Sequence, residues 1–170
     1  MGRDSEQRGQ ELRPGAARAL SCVHLVGLAW FIGAEAIQLA GEGYTQRSLL
    51  LNFITYLIGV NGITIGAGHI LLGVPVARSI GWSTRTPWQW EVGCANFSYG
   101  IPGVMVSGQD EGFWLAVVVV AAVFLLGAAI GHVREYLTLR NASLGNIGFV
   151  LYSDVIIPLV AIGLYLWYTN

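Results

Sequence analysis

The residues best suited to do chemistry in this sequence are ionisable side chains that fall inside long apolar stretches. An ionisable group in the hydrocarbon of a membrane costs a few kcal/mol, so such groups usually face the interior of a helix bundle and pair. The candidate polar cluster consists of two imidazoles and three carboxylates: His69, Glu91, His132, Glu135 and Asp154. Three further residues, Asn96, Cys94 and His24, are secondary candidates.

A metal site is one chemistry that such a set supports. Imidazole nitrogen and carboxylate oxygen together suit iron, manganese or zinc. Helix bundles build di-metal sites from inward Glu residues and Glu-x-x-His pairs, and His132-x-x-Glu135 has this spacing in reversed order. A transition metal on His69, Glu91, His132 and Glu135, or a haem between the two imidazoles, is therefore one hypothesis for an oxidoreductase component. The sequence itself requires no cofactor.

A second alternative is a pathway or pocket for a proton or a small solute, because carboxylates and histidines in spans recur in proton relays. Further polar residues continue towards the other side of the predicted bundle: Glu35, Asn52, Asn61 and Thr64. A bundle of this size would need to form an oligomer to act as a carrier.

The interpretation that we favour from the sequence is structural. A buried hydrogen-bonded network orients helices without any ligand, which predicts a structural or accessory membrane subunit. The sequence contains no phosphate-binding glycine loop, no Gly-x-Ser-x-Gly, no Cys-x-x-Cys and no His-Glu-x-x-His, the patterns that carry several common enzyme activities. The balance is therefore against an enzyme, and the catalytic residues, if any, are unknown.

The elements that must position these residues are apolar helices. The 170-residue chain is 54% hydrophobic and only 11% charged, which is too little charge for the surface of a soluble domain. A spanning helix needs roughly 20 mostly apolar residues, and five stretches qualify: Ala19–Ala40, Ser48–Gly73, Trp88–Val106, Gly112–Leu137 and Ile147–Tyr168. These predict an all-α transmembrane bundle of about five helices in one domain, residues 19–170.

Charge distribution predicts the orientation and the partners. Residues 1–18 carry seven charges with almost nothing apolar and are expected to form a disordered cytoplasmic tail. Eight of the nine arginines fall on the side of that tail, with Arg47 on the other, so the C-terminus is expected outside a prokaryotic cell membrane. A net charge of −1 gives no field for nucleic acid. The expected partners are the lipid bilayer and a homo-oligomer or larger membrane complex.

The first segment has an alternative interpretation. Arginines, an apolar run and then Ala34-Glu35-Ala36 are also typical of a secretory signal with a small-residue cleavage site. His24 and the length of the apolar run favour a retained helix. Cleavage would leave the orientation of the other four segments unchanged.

Placed by depth, most ionisable residues of the spans lie in the cytoplasmic half. Two Gly-x-x-x-Gly pairs, Gly62 with Gly66 and Gly127 with Gly131, each share a helical face with a member of the candidate cluster. Such pairs allow helices to approach closely. We therefore expect the four side chains of the candidate metal set to converge on one cavity in the cytoplasmic half, with Asp154 slightly deeper.

The spacing also indicates an internal repeat. His69 precedes Glu91 by 22 residues, and His132 precedes Asp154 by 22 residues. In each case the histidine ends one segment and the acid begins the next. Segments two and three, and segments four and five, are thus predicted to form two parallel helix-pair repeats, with the first segment as an additional N-terminal helix.

Several motifs together resemble a known family. They are Gly68-His69, Ser79-Ile80-Gly81-Trp82, Pro87-Trp88-Gln89-Trp90-Glu91-Val92-Gly93 with Asn96, Gly131-His132 with Glu135, Asn146-x-Gly148, and Leu151-Tyr152 with Asp154 and Pro158. From about Leu49 to the C-terminus the chain resembles an uncharacterised family of small bacterial and archaeal membrane proteins, domain of unknown function 6790. Trp88 stands where that pattern favours Phe. The resemblance implies a multi-pass membrane protein and brings no activity, ligand or catalytic residue.

The predicted topology is tested by labelling at Ser83, in the loop expected to be cytoplasmic. A single cysteine placed there, in a chain with Cys22 and Cys94 replaced, is expected to react with a membrane-impermeant maleimide only after the cells are permeabilised. Reaction in intact cells would reverse the predicted orientation.

Overall fold

A computed structural model describes residues 25–41, 43–82 and 87–170 of the chain. The fold is an all-α bundle, and these three ranges contain no strand. In chain order the helices are α1 (Leu25–Ala40), α2 (Gln46–Leu71), α3 (Gly73–Ile80), α4 (Trp88–Val104), α5 (Glu111–Leu139), α6 (Leu144–Ile147) and α7 (Phe149–Thr169). The predicted tail, His24 and the beginning of the first predicted segment lie outside the described residues.

The predicted segments are helical, and their described ends agree with the structure to within two residues. Within the described ranges, three stretches have the length and the apolar composition needed to cross a membrane: Gln46–Leu71, Glu111–Leu139 and Leu144–Thr169. The described part of the first segment, α1, is apolar but spans 16 residues, and α4 is a 17-residue helix with several polar side chains. The short helix α3 was not predicted, because Pro75 and Arg78 interrupt its apolar pattern.

Helices α2 and α4 pack with their backbones in contact. A methyl group added to Gly62 would lie 2.8 Å from the Cα of Gly100, and one added to Gly103 would lie 2.7 Å from the Cα of Gly59. One turn further along, the corresponding position on Gly66 is 2.9 Å from the carbonyl oxygen of Gly93. Three layers of facing glycines therefore set the distance between these helices, as small residues do in membrane bundles.

The second predicted glycine pair behaves differently. No atom outside the local helix backbone lies within 4 Å of a methyl group placed on Gly127 or on Gly131, and both residues are exposed. The expectation that this pair packs against another helix is therefore wrong. The reason is that α5 packs mainly on α7, and the residues that α5 buries are others, such as Val117, Ala121 and Leu125.

A π-helical segment in the middle of α2, Phe53–Val60, decides which residues face α1. In an α-helix each residue turns the chain by about 100°, so Asn52 and Asn61 would lie on roughly opposite faces. The wider i→i+5 winding turns each residue by roughly 80°, which brings both to the same face. Asn52 Nδ2 donates to Glu35 Oε1 at 2.7 Å, and Asn61 Oδ1 accepts from the Gly27 amide at 2.9 Å.

The turn before α4 and the turn after α5 are joined at one end of the bundle. Asn141 Nδ2 donates to the carbonyl oxygen of Ile80 at 2.9 Å. A methyl group on Gly145 would lie 2.6 Å from the carbonyl oxygen of Ser79, so α6 lies directly against the end of α3. Gly81, which ends α3, has a φ of 86°, a left-handed conformation that glycine adopts without strain. These contacts close the end of the bundle where α2 and α5 end.

The glycine contact between α2 and α4 is tested by Gly100→Ala. Its methyl group would lie 2.7 Å from the backbone nitrogen of Ile63, so we expect the free energy of unfolding in mixed micelles to fall by about 1–3 kcal/mol. The matched control is Gly163→Ala on α7, where the methyl group meets open space. It is expected to be neutral or to stabilise by up to about 1 kcal/mol. Equal effects would contradict the proposed close approach.

Candidate functional site

The bundle contains a partly open cavity of about 1320 Å³ between the C-terminal halves of α2 and α5. The two helices contact each other through the π-helical segment of α2, and the cavity lies beyond that contact. Residues of α3 and α4 and the beginning of α7 complete its wall. Most of the wall is apolar, with Ile65, Leu71, Val76, Val123 and Phe124 among its side chains.

Four of the five candidate residues lie in the wall of this one cavity: His69, His132, Glu135 and Asp154. The secondary candidate Asn96 also lines it and is 2% exposed. With Asn96 included, these residues come from four helices: α2, α4, α5 and α7. Their convergence arises because α2 and α5 end, and α4 and α7 begin, at the same end of the bundle.

Glu91 is not part of this convergence. It is exposed and does not line the cavity, and Cys94 is exposed as well. Helix α4 packs through Gln89, Gly93 and Asn96 and the residues that follow at helical spacing, which leaves Glu91 on the opposite face. The expectation that Glu91 would share the cavity is therefore corrected by the position of the glycine contact. The secondary candidate His24 lies outside the described residues.

His132 is held by contacts on both of its ring nitrogens. Its Nδ1 lies 2.7 Å from Oδ1 of Asn146, and its Nε2 lies 3.6 Å from Oδ2 of Asp154. Asn146 is completely buried and Asp154 is 6% exposed. A buried carboxyl group beside an imidazole is a pair of groups that can share a proton, and this pair lies in a largely apolar wall.

The orientation of the Asn146 amide follows from its other partners. Its Nδ2 donates to the carbonyl oxygen of His132 at 3.2 Å and to that of Asn141 at 2.8 Å. Because both partners are carbonyl oxygens, the nitrogen must face them and Oδ1 must face the imidazole. Oδ1 therefore accepts a hydrogen bond from Nδ1–H of His132, which assigns the tautomer of the neutral ring.

His69 has an equivalent contact on the other side of the cavity. Its Nδ1 lies 2.5 Å from Oε1 of Gln89, which lies in the first turn of α4. Asn146 has a similar position relative to His132, because it lies shortly before α7. The two histidines thus have side-chain amide partners at comparable positions of the two predicted helix pairs. The acids do not correspond, because Asp154 adjoins His132 whereas Glu91 is exposed.

Glu135 stands nearer the end of the bundle. Its Oε2 accepts a hydrogen bond from Asn141 Nδ2 at 2.8 Å, the same amide that bonds to the end of α3. Glu135 therefore links the cavity wall to the joined turns. Two further wall residues that we did not single out from the sequence, Trp82 and Arg134, lie at this end.

The amide partners Gln89 and Asn146 were missed as site residues. Both occur in the motifs that resemble the family, but neither is ionisable, and a search for titratable groups passes over them. Their signal is positional: each is a polar amide next to the beginning of an apolar helix. Such a residue normally lies on the membrane surface, and only its contact with a histidine shows that it belongs to the site.

The described residues offer no cluster of three or more His, Cys, Asp or Glu side chains arranged to hold a metal ion. With Glu91 on the outer face of α4, the predicted four-residue metal set is not assembled there. His69 and His132 do face the same cavity, and the Nδ1 of each is occupied by an amide oxygen.

The architecture defines an all-α helical bundle that contains helices of membrane-spanning length and a large cavity with a polar end. The chain belongs to the family of unknown function DUF6790, whose family model matches residues 20–170. Comparison with the curated proteins and with the solved structures found no match.

The contact between His132 and Asn146 is tested by a double-mutant cycle with His132→Ala and Asn146→Ala. We expect a coupling of about 1 kcal/mol in the free energy of unfolding, because each change strands a buried partner. The control cycle pairs His132→Ala with Glu91→Gln. It should be additive within about 0.5 kcal/mol, since Glu91 is exposed and shares no partner with His132. Equal coupling in both cycles would place Glu91 in the same network.

Proposed function

We propose that this chain is a multi-pass membrane protein that binds a lipophilic small molecule in the cavity between α2 and α5. The observation that carries the proposal is the cavity itself, with its volume of about 1320 Å³ and its largely apolar wall. Protein interiors are otherwise close-packed and contain few voids larger than a water molecule. Ligand pockets of proteins are typically about 300–1,000 Å³, mostly apolar, with a few convergent polar groups.

The distribution of side chains supports a ligand with two chemically different ends. The apolar part is lined by Val123, Phe124 and Leu125 of α5 and by Ile65 and Leu71 of α2. The imidazole and carboxyl groups of His132 and Asp154 lie against each other in the same wall. An apolar molecule with one polar end is complementary to this arrangement.

The membrane topology that goes with this proposal is the one expected from the sequence. We propose five spans, α1, α2, α4, α5 and α6–α7, with a cytoplasmic N-terminus and the C-terminus outside a prokaryotic cell membrane. On that topology the cavity lies in the cytoplasmic half of the bilayer. A lipophilic ligand then reaches it from the surrounding lipid, and a homo-oligomer or larger membrane complex is a further proposed partner.

The structural or accessory role stays a prediction. The contacts of His132 with Asn146 and Asp154 agree with it, because such contacts also hold helices together. A purely structural network, however, does not need a cavity of this size beside it. The pocket alternative accounts for both the polar contacts and the open space, which is why we favour it.

The proposal is tested by filling the cavity from Gly131. This residue lines the cavity, and a methyl group on it meets no atom within 4 Å beyond the local helix backbone, so the side chain of Gly131→Leu begins in open space. We expect wild-type protein, purified in detergent, to retain a lipophilic small molecule, measured by mass spectrometry of an organic extract. Gly131→Leu is expected to reduce its amount about tenfold.

The matched control is Gly163→Leu on α7, which also meets open space but does not line the cavity. It should retain the wild-type amount. Equal retention by all three proteins, or none by the wild type, would contradict the proposed function. An absorption spectrum and metal analysis of the same wild-type sample separate a haem or a transition metal from other ligands.

A further inference from the structure

We propose that the polar end of the ligand is a hydrogen-bond donor, a hydroxyl or an amino group, which His132 Nε2 and the Asp154 carboxylate receive. This inference rests on the proposed function, since it names the chemical class of the molecule in the same cavity. The juxtaposition that carries it is the imidazole and carboxyl group 3.6 Å apart, both in the cavity wall.

The first step is the state of the imidazole. Asn146 donates both of its amide hydrogens to backbone carbonyls, so its Oδ1 can only accept, and Nδ1 of His132 must carry a hydrogen. A neutral imidazole with its hydrogen on Nδ1 has a lone pair on Nε2. The nitrogen that faces Asp154 is therefore a hydrogen-bond acceptor.

The second step is a count of hydrogens in the pair. An ionised carboxyl group has only acceptor sites, so with no added proton both His132 Nε2 and Asp154 present lone pairs. When one added proton sits on either of the two atoms that face each other at 3.6 Å, the remaining carboxyl oxygen sites are again acceptors. In both states the pair has acceptor sites left over, and a ligand satisfies them only by donating.

The other hydroxyl groups in the wall do not supply competing donors. The Thr64 hydroxyl donates to the carbonyl oxygen of Val60 at 2.9 Å, and the Ser79 hydroxyl donates to that of Val76 at 2.8 Å. The Thr138 hydroxyl likewise donates to the carbonyl oxygen of Arg134 at 2.7 Å. Their hydrogens are thus used within their own helices, and their oxygens keep lone pairs. Trp82 and Arg134, whose side chains carry N–H groups, lie near the ends of α3 and α5. Asn96 Nδ2, also in the wall, donates one of its two hydrogens to the carbonyl oxygen of Val92 at 2.8 Å.

The charges in the cavity wall are compatible with two kinds of donor, a neutral hydroxyl group and a protonated amine. A neutral hydroxyl satisfies the acceptors by hydrogen bonding alone. A protonated amine would in addition attract the carboxylates of Asp154 and Glu135, both of which line the cavity. A ligand whose polar end is only an ether or a carbonyl group would leave buried acceptors facing acceptors, which is unfavourable.

The test compares three probes of one shape: 1-naphthol, 1-naphthylmethylamine and 1-methoxynaphthalene. Each is equilibrated by dialysis with full-length protein in detergent, and bound probe is measured by its fluorescence. We expect 1-naphthol or the amine to bind about tenfold more tightly than the methyl ether, which has the same ring but no donor. Which of the two binds more tightly distinguishes a hydroxyl from an amine.

Asp154→Asn replaces the carboxylate by an amide of the same size and should reduce the preference for donors to less than about threefold. The control is Glu35→Gln, the same chemical change in the cluster between α1 and α2, where Glu35 accepts from Asn52 and does not line the cavity. It should keep the wild-type preference. If Asp154→Asn fails to fold, the inference is decided by the wild-type protein alone, from the dissociation constant of the methyl ether relative to those of 1-naphthol and the amine.

Two results would overturn the inference, and they are distinguishable. Equal binding of 1-naphthol and its methyl ether, abolished for both by Gly131→Leu, would reject the donor and leave the cavity as a ligand site. Absence of saturable binding of any of the three probes to the wild type would reject the ligand site and, with it, the donor.

Discussion

The close approach of α2 and α4 is the constraint on which the rest of the bundle depends. Three layers of facing glycines bring the two backbones into contact, and a side chain in any layer would hold them apart. Because α2 packs closely against α4, α5 packs mainly on α7. The two pairs of helices meet where α4 contacts α5 and where the N-terminal half of α2, with its π-helical segment, contacts α5 and α7. The cavity lies between the C-terminal halves of α2 and α5.

The polar groups of the site are held by short-range contacts at the end of the bundle. Asn146 lies in α6, directly before α7, and bonds to the ring and the backbone of His132 and to the backbone of Asn141. Asn141 in turn bonds to Ile80 and Glu135. The side-chain amides of Asn141 and Asn146 therefore connect the turns that join the helices. Asn146 orients the imidazole of His132, whose Nε2 faces the buried carboxyl group of Asp154. Such satisfied networks are rigid, which suits the proposed recognition of one end of a ligand.

The sequence predicted much of the fold because apolar runs of helical length are a strong and local signal. The boundaries of α2, α4, α5 and α7 agree with it to within two residues. The site was predicted less completely. His69, His132, Glu135 and Asp154 do line one cavity, since depth along the helices follows from residue number. Glu91 was placed wrongly, because depth does not say which side of a helix faces the interior. That side is set by the glycines of α4.

By itself, the sequence determined the helical class, the helix ends and the level at which the ionisable residues lie, because hydrophobicity and residue spacing are properties of the chain alone. Only the tertiary structure decided which of two similar Gly-x-x-x-Gly pairs packs and which remains open in a cavity wall. It also decided that Asn52 and Asn61 share a face, through a π-helical turn. Both outcomes depend on the rotation of one helix against another, which follows from the sum of all contacts and from no single stretch of sequence.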